Sequence, residues 1–121
     1  MSDPFFDTNI VIDWLKRIPA ATAELGLYDR HQISRIVWTE VLAGEDEGAR
    51  DLVLKALSHF EIVELDEQIA TVAATIRFQS GLKLMDAFIL ATAQVHGRTL
   101  VTRNTKDFPA DMPGIRVPYS L

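Results

Sequence analysis

The sequence predicts a single α/β domain built around a mostly parallel sheet with helices on both faces. Short apolar segments alternate with helical patterns along the chain, as in consecutive strand–helix–strand units. The 121 residues fall within the usual length of one domain, and no repeat, linker or low-complexity tract divides them. Crossovers between parallel strands are nearly always right-handed, which places helices on both faces of the sheet. We therefore expect residues 1–121 to form one domain.

The chain opens with a strand that leads directly into a helix. Phe5 and Phe6 have the pattern of a buried strand end, and the residues after them repeat at helical spacing. Pro19 then begins a second predicted helix, since proline is favoured at the first helical position. The apolar face of the first helix is predicted to carry Ile10, Val11, Trp14 and Leu15, and its opposite face Asp13, Lys16 and Arg17.

Strands and helices continue to alternate over the remainder of the chain. Residues 31–36, 60–65 and 99–102 have strand patterns. Residues 86–95 are apolar nearly all round, which is typical of a central, buried helix. The other predicted elements are a helix at 37–43, a helix at 46–58 capped by Asp46, a helix capped by Asp66, and an edge strand at 115–117.

Composition narrows the classes of function. The formal net charge is −5, whereas a protein that binds nucleic acid by electrostatics alone is normally basic. Nucleic-acid chemistry would therefore require a local basic patch or bound cations. The absence of cysteine excludes disulfides and thiolate metal sites and fits a reducing cytoplasm. No signal-peptide pattern and no apolar run near the roughly 20 residues of a membrane span are present. We thus expect a cytoplasmic protein with no membrane partner.

Polar residues fill the first strand-to-helix junction, where Asp7, Thr8 and Asn9 follow the two phenylalanines. In an open parallel sheet, ligands bind at the carboxyl ends of the strands. Asp and Asn are also favoured helix caps, so capping alone explains this stretch. The acids further along the chain bear on the choice between a cap and a site.

Two of those acids interrupt apolar helices. Glu40 shares a small, apolar face of a short helix with Val37 and Ala43, so its carboxylate must be exposed, paired or bound to a cation. Asp86 begins the most apolar helix, where a first-turn acid can also complement the helix dipole. The dipole does not explain why so buried a helix begins in a group that needs solvation or a cation.

A last polar group follows the strand at 99–102. Asn104 and Asp107 lie in this loop, and both residue types are common in ordinary turns. If the first and fourth strands end at the same edge of the sheet, this pair converges there with Asp7 and Asp86, and Glu40 is added from a neighbouring helix. Clustered carboxylates repel and cannot all stay ionised unless a cation neutralises them. Oxygen ligands without cysteine or paired histidine favour Mg²⁺ or Mn²⁺ over zinc.

Four segments, in chain order, resemble the PIN domain family and within it the VapC-like toxin ribonucleases. They extend from Phe5 to Phe108 and read FFDTNI, ISRIVWTEVLAG, LKLMDAFILATA and LVTRNTKDF. The resemblance implies a three-layer α/β/α fold with a central, mostly parallel sheet, and Mg²⁺- or Mn²⁺-dependent cleavage of RNA. It also implies a homodimer and a small antitoxin protein that occupies the active site.

The resemblance also assigns site residues. Asp7, Glu40 and Asp86 match the family's first three acids, with Asp7 and Asp86 as direct metal ligands. Glu40 would bind through water or orient the nucleophile. Many members have their fourth acid at the position held here by Asn104, so either Asn104 or Asp107, three residues further on, completes the site. The matching supporting residues are Thr8, Asn9, Ser34, Gly44 and Thr102.

Alternatives remain at this point. Arg103 and Lys106 either contact RNA phosphates or belong to an ordinary solvated loop. A PIN-like module that binds a partner without cleaving RNA would have no need for repelling acids. A phospho-receiver domain has a similar size and a doubly wound sheet, and Asp66 would be its phosphoacceptor. Receivers pair two adjacent acids at the first strand, however, where this chain has only Asp7.

Overall fold

Five parallel strands form one sheet in the computed structural model, which describes residues 2–121. The strands are β1 (Phe5–Phe6), β2 (Gln32–Ser34), β3 (Glu61–Val63), β4 (Leu100–Val101) and β5 (Ile115–Arg116). Their order across the sheet is β3-β2-β1-β4-β5, and every neighbouring pair is parallel. The central strand β1 is therefore flanked by β2 and by the distant β4, so the first and fourth strands end side by side.

In the described part of the chain, six helices flank the sheet and give the three-layer α/β/α architecture. They are α1 (Thr8–Leu15), α2 (Pro19–Leu25), α3 (Arg35–Ala43), α4 (Glu47–Leu57), α5 (Glu67–Ser80) and α6 (Leu84–Val95). Within residues 2–121, no helix is both long and apolar enough to cross a membrane.

The inner strands are buried because helices cover both of their faces. Phe5, Phe6, Leu100 and Val101 are at most 1% exposed and lie in the main core. A second, smaller cluster joins α5 to α6 through Ile69, Ala73, Ala87 and Ala91. Alanines on the facing sides allow the two helices to approach closely. The predicted burial of the apolar helix at 86–95 is confirmed, and this helix anchors Asp86 at its first turn.

Helix caps explain where several elements begin. The predicted caps Asp46 and Asp66 are confirmed, since their side chains accept hydrogen bonds from the Ala49 and Ile69 amides at 3.0 and 2.8 Å. Ser34 also caps a helix, so α3 begins at Arg35 and the preceding strand ends two residues earlier than predicted. The helix α6 begins at Leu84, so Asp86 is its third residue.

One prediction about α1 is wrong. The helical pattern places Asp13 on the face opposite the apolar one, with Lys16 and Arg17, but Asp13 is buried, with 3% of it exposed. Its carboxylate accepts two hydrogen bonds from the Arg103 guanidinium, at 2.6 and 2.9 Å. The partner lies ninety residues away in sequence, and local periodicity carries no information about such a contact.

Candidate active site

The site begins where β1 and β4 end next to each other. Phe5 and Phe6 pair in register with Leu100 and Val101, which brings the two following residues together. The Thr102 hydroxyl donates a hydrogen bond to Asp7 Oδ2 at 2.8 Å. Two strands separated by most of the chain thus deliver a carboxylate and its hydroxyl partner to one edge of the sheet.

Asp7 is both a helix cap and a member of this site. Its Oδ1 accepts a hydrogen bond from the Thr8 amide at 2.8 Å, and the residue is the N-cap of α1. It is also 4% exposed, and burial raises the pKa of its carboxyl despite the hydrogen bonds from Thr102 and Thr8. The nearby charges of Glu40 and Asp107 raise this pKa further. The role of Asp7 as a helix cap is therefore compatible with a role in the site.

Thr8 ties the second acid to the first. Its hydroxyl donates to Glu40 Oε1 at 2.6 Å, which connects the first turn of α1 to α3. Ser34 supports this arrangement indirectly, because its Oγ accepts the Val37 amide at 3.2 Å and fixes the start of α3. The sequence left Glu40 exposed, paired or bound to a cation; the structure shows a half-buried carboxylate that is paired with Thr8.

Asn9 connects the acid at β1 to the loop after β4. Its Nδ2 donates to Thr102 Oγ1 at 3.3 Å and lies 3.5 Å from Asp7 Oδ2. Its Oδ1 accepts the Arg103 amide at 3.2 Å. The side chain thus bridges the two strand ends, and its role as a supporting residue stays a prediction.

The loop after β4 contains the fourth acid. The Asn104 amide donates to Thr102 Oγ1 at 3.0 Å, and Asn104 Nδ2 donates to Asp107 Oδ2 at 2.9 Å. The Asp107 amide returns a bond to Asn104 Oδ1 at 3.2 Å. Asn104 and Asp107 therefore act as one unit, in which Asp107 supplies the charge and Asn104 orients it.

Asp86 lies within the electrostatic field of the other three acids. Burial raises the pKa of its carboxyl to about 6, and the charges of Asp7, Asp107 and Glu40 add to this rise. Four carboxylates from four parts of the chain therefore share one region at the carboxyl edge of the sheet. Such mutual repulsion is relieved by a cation or by protons.

A divalent cation fits this donor set, because every candidate ligand is an oxygen atom and the acids destabilise one another without it. Within residues 2–121, however, no three Asp, Glu or His side chains are close enough together to form a ready-made metal site. Hydroxyl groups of Thr102 and Thr8 occupy carboxylate oxygens of Asp7 and Glu40. Convergence of the acids on a single ion stays a prediction.

The two basic residues of the loop differ. The partly exposed Arg103 side chain is paired with the buried Asp13, so its guanidinium is not a free group for RNA phosphate. Lys106 is exposed beside Asp107 and stays the candidate of the pair. The sequence interpretation missed Asp13 and also Tyr119, whose hydroxyl donates to Asp13 Oδ2 at 2.8 Å.

The fold and the acid site together define the class. The family model for the PIN domain matches residues 5–110, and the chain belongs to this family. This membership excludes the receiver alternative, and Asp66 is accounted for as the cap of α5.

Individual relatives narrow the similarity to VapC-like proteins. The chain is 33% identical over 115 residues to the ribonuclease VapC1 of Rickettsia felis, covering 84% of this chain and 85% of the relative. A toxin–antitoxin complex from Klebsiella pneumoniae contains a chain with 40% identity and a TM-score of 0.90, covering 98% and 100% of the two chains. DNA-bound VapBC from Salmonella typhimurium has 26% identity and a TM-score of 0.78, with 96% of each chain covered. The protein is thus a VapC-like member of the PIN domain family.

Proposed function

We propose that this protein is a ribonuclease that uses Mg²⁺ or Mn²⁺ and acts as the toxin of a type II toxin–antitoxin pair. The observation that carries the proposal is the hydrogen-bonded grouping of Asp7, Glu40 and Asp107 at the carboxyl edge of the sheet. Asp86 lies near enough for their charges to raise the pKa of its carboxyl. A domain that only bound a partner would gain nothing from four repelling acids. The similarity to the ribonuclease VapC1 supplies the substrate class.

In this proposal, each acid has a role that follows from its position. Asp7 and Asp86 are the ligands that hold the cation, since burial is the main cause that raises the pKa of each carboxyl and a bound cation would offset that effect. Glu40, restrained by the Thr8 hydroxyl, orients the attacking water. Asp107, oriented by Asn104, completes the ring of acids. A bound Mg²⁺ or Mn²⁺ supplies charge neutralisation and Lewis acidity toward the phosphate.

The rest of the chain has to attract RNA despite its net charge. Lys106 lies in the same loop as Asp107 and would contact a phosphate next to the scissile bond. The cation offsets the acid cluster, which would otherwise repel the substrate. We place this activity in the cytoplasm, where RNA is available.

An antitoxin would reach the site from an apolar groove that lies next to it. A groove of about 610 Å³ lies between α1, α3 and α4 and begins at Val41, the residue after Glu40. Basic side chains at its rim would suit an acidic or amphipathic peptide segment. Its lining residues are Ile12, Leu15, Lys16, Arg17, Val41, Gly44, Glu45, Leu52 and Val53.

A homodimer is also part of the proposal. Exposed apolar residues gather where α5 ends and α6 begins, with Phe78 91%, Leu84 50% and Met85 44% exposed. Their burial against a second copy would remove this apolar surface from water. Sedimentation of the purified protein tests the oligomeric state.

The test of the function is an RNA-cleavage assay with and without Mg²⁺ or Mn²⁺, in which wild type is compared with Asp7→Asn. Asp66→Asn is the matched control, since it makes the same chemical change at a helix cap outside the site. We expect cation-dependent cleavage by wild type and the control, and none by Asp7→Asn. Specific antitoxin binding by a protein that cleaves no RNA would instead favour the inactive binding module.

A further inference from the structure

A buried carboxylate in α1 is held by three hydrogen bonds from distant parts of the chain. Asp13 accepts two from the Arg103 guanidinium, at 2.6 and 2.9 Å, and one from the Tyr119 hydroxyl, at 2.8 Å. Asp13 is 3% exposed, and the bonds from Arg103 hold the pKa of its carboxyl below its usual range. We call Asp13, Arg103 and Tyr119 the Asp13 network.

This network connects directly to the acid site through the backbone of Arg103. The Arg103 amide donates to Asn9 Oδ1, while Asn9 Nδ2 donates to Thr102 Oγ1. The next residue, Asn104, then holds Asp107 with a side-chain bond of 2.9 Å. The Arg103 side chain therefore anchors to α1 the loop, residues 102–107, that brings the fourth acid to the site.

A second network has nearly the same chemistry in another part of the fold. Glu24 is 4% exposed and accepts two bonds from Arg116, at 2.7 and 2.9 Å, and one from the Tyr28 hydroxyl, at 2.8 Å. We call these residues the Glu24 network. Within residues 2–121, the side chains of Glu24 and Tyr28 form hydrogen bonds only with members of this network. Both networks fasten distant segments. Arg116 meets the acid-bearing loop through its backbone, since its carbonyl accepts the Thr102 amide at 3.0 Å, whereas the Asp13 network holds that loop through the Arg103 side chain.

We propose that Asp13, Arg103 and Tyr119 are positioning residues, which lock loop 102–107 onto α1 and so set the place of Asp107 among the acids. The proposal rests on the proposed function for its catalytic consequence. Arg103 acts through Asp13, and its role is to fix the loop and not to contact RNA phosphate. The C-terminal segment enters the site's architecture through Tyr119, although it lies outside the matched family region of residues 5–110.

Two pairs of matched variants test the proposal. Tyr119→Phe and Asp13→Asn loosen the Asp13 network, while Tyr28→Phe and Glu24→Gln make the equivalent changes in the Glu24 network. Each protein is measured for amide hydrogen exchange at residues 103–108, for Mn²⁺ affinity by calorimetry, and for kcat and KM on one RNA. The two tyrosine variants remove a single hydroxyl and serve where the acid variants fail to fold.

The expected result differs between the pairs. Changes in the Asp13 network should speed exchange of the loop amides and lower Mn²⁺ affinity or kcat by about tenfold, as is typical of residues that orient metal ligands. KM for RNA should stay unchanged. The Glu24 variants should retain wild-type loop exchange, Mn²⁺ affinity and kcat, even where their melting temperatures fall.

Three results would overturn the proposal. One is loop exchange that is equal in both pairs of variants. Another is Mn²⁺ affinity and kcat that fall as far in the Glu24 variants. The third is an Arg103→Gln variant with raised KM, unchanged kcat and a weaker salt dependence, which would identify Arg103 as a phosphate contact. If wild type neither binds Mn²⁺ nor cleaves RNA, the proposed function fails, and the exchange comparison alone still decides whether the network positions the loop.

Discussion

Thr102 donates its hydroxyl hydrogen to Asp7 Oδ2 over 2.8 Å, although the two residues are ninety-five positions apart in the chain. The contact exists because β1 and β4 are adjacent, parallel and in register. It restrains one oxygen of the Asp7 carboxylate, while the other oxygen, Oδ1, accepts a hydrogen bond from the Thr8 amide. Asp7 and Thr102 therefore join the two strand ends at which the site is built.

Replacing Thr102 with Val should weaken the site more than the fold. The change keeps the side chain's shape but removes the hydroxyl that donates to Asp7 Oδ2 and accepts the Asn104 amide. We expect a loss of about 1–3 kcal/mol in the free energy of unfolding and a fall in cleavage of about tenfold or more. Thr92→Val is the matched control, because Thr92 is equally buried and donates only to Phe88 O within α6. Equal activity loss in both variants would contradict the assigned role.

Thr8 and Glu40 should be energetically coupled in catalysis. Thr8→Val frees Glu40 from its 2.6 Å hydrogen bond, and Glu40→Gln removes the charge that the bond restrains. Both single variants should cleave RNA slowly, and the double variant should be little worse than Glu40→Gln alone. A double-mutant cycle on kcat measures this, with an expected coupling of about 0.5–3 kcal/mol. Strictly additive effects would show that Thr8 does not act through Glu40.

The two buried acids outside the catalytic cluster should set the acid limit of stability. Arg103 lowers the pKa of Asp13; for Glu24, burial would raise the pKa, but the bonds from Arg116 and Tyr28 outweigh it. Groups with a lowered pKa stabilise the fold above their unfolded values of 3.8 and 4.5, and this contribution is lost as the pH falls through their folded pKa values. The melting temperature should therefore drop steeply below about pH 4.5.

The variants Asp13→Asn and Glu24→Gln should flatten this dependence. Each should lower the melting temperature at pH 7, because an arginine loses its charged partner, and each should lose less on going to pH 3. Thermal melts across pH 3–7 measure both effects. The double variant, with both substitutions, is the strictest test. If its melting temperature falls as steeply between pH 7 and pH 3 as that of wild type, other carboxylates control acid unfolding.

The groove between α1, α3 and α4 should control inhibition and not catalysis. Leu52 is 75% exposed and lines the groove, so Leu52→Asp places a charge where an apolar partner side chain would pack. We expect normal RNA cleavage that the cognate antitoxin no longer suppresses. Leu27→Asp is the control, since Leu27 is 54% exposed and lies outside the groove lining. Full inhibition of the Leu52→Asp variant by the antitoxin would show that the docking surface lies elsewhere.

The strand-and-helix pattern sufficed to predict the site's broad location but not its supports. Short apolar segments show where the strands end, and parallel strands end at the same edge of a sheet. The sequence therefore predicted that Asp7 and the loop after β4 lie at one edge. The start of α3 was missed by two residues, since Ser34 reads equally well as the end of a strand and as a helix cap. The burial of Asp13 could not be predicted from the pattern of its helix, because its partner Arg103 comes from the far end of the chain and only tertiary structure reveals such pairs.

The measurement that tests the central claim most directly is RNA cleavage by Asp86→Asn at saturating Mg²⁺. The substitution preserves side-chain size, removes one of four repelling charges and should leave the metal-free fold as stable as wild type or more so. If the acids form a catalytic cation site, cleavage should be undetectable while the melting temperature holds. If Asp86 only complements the helix dipole, the variant should cleave RNA at nearly the wild-type rate, and that result would contradict the account.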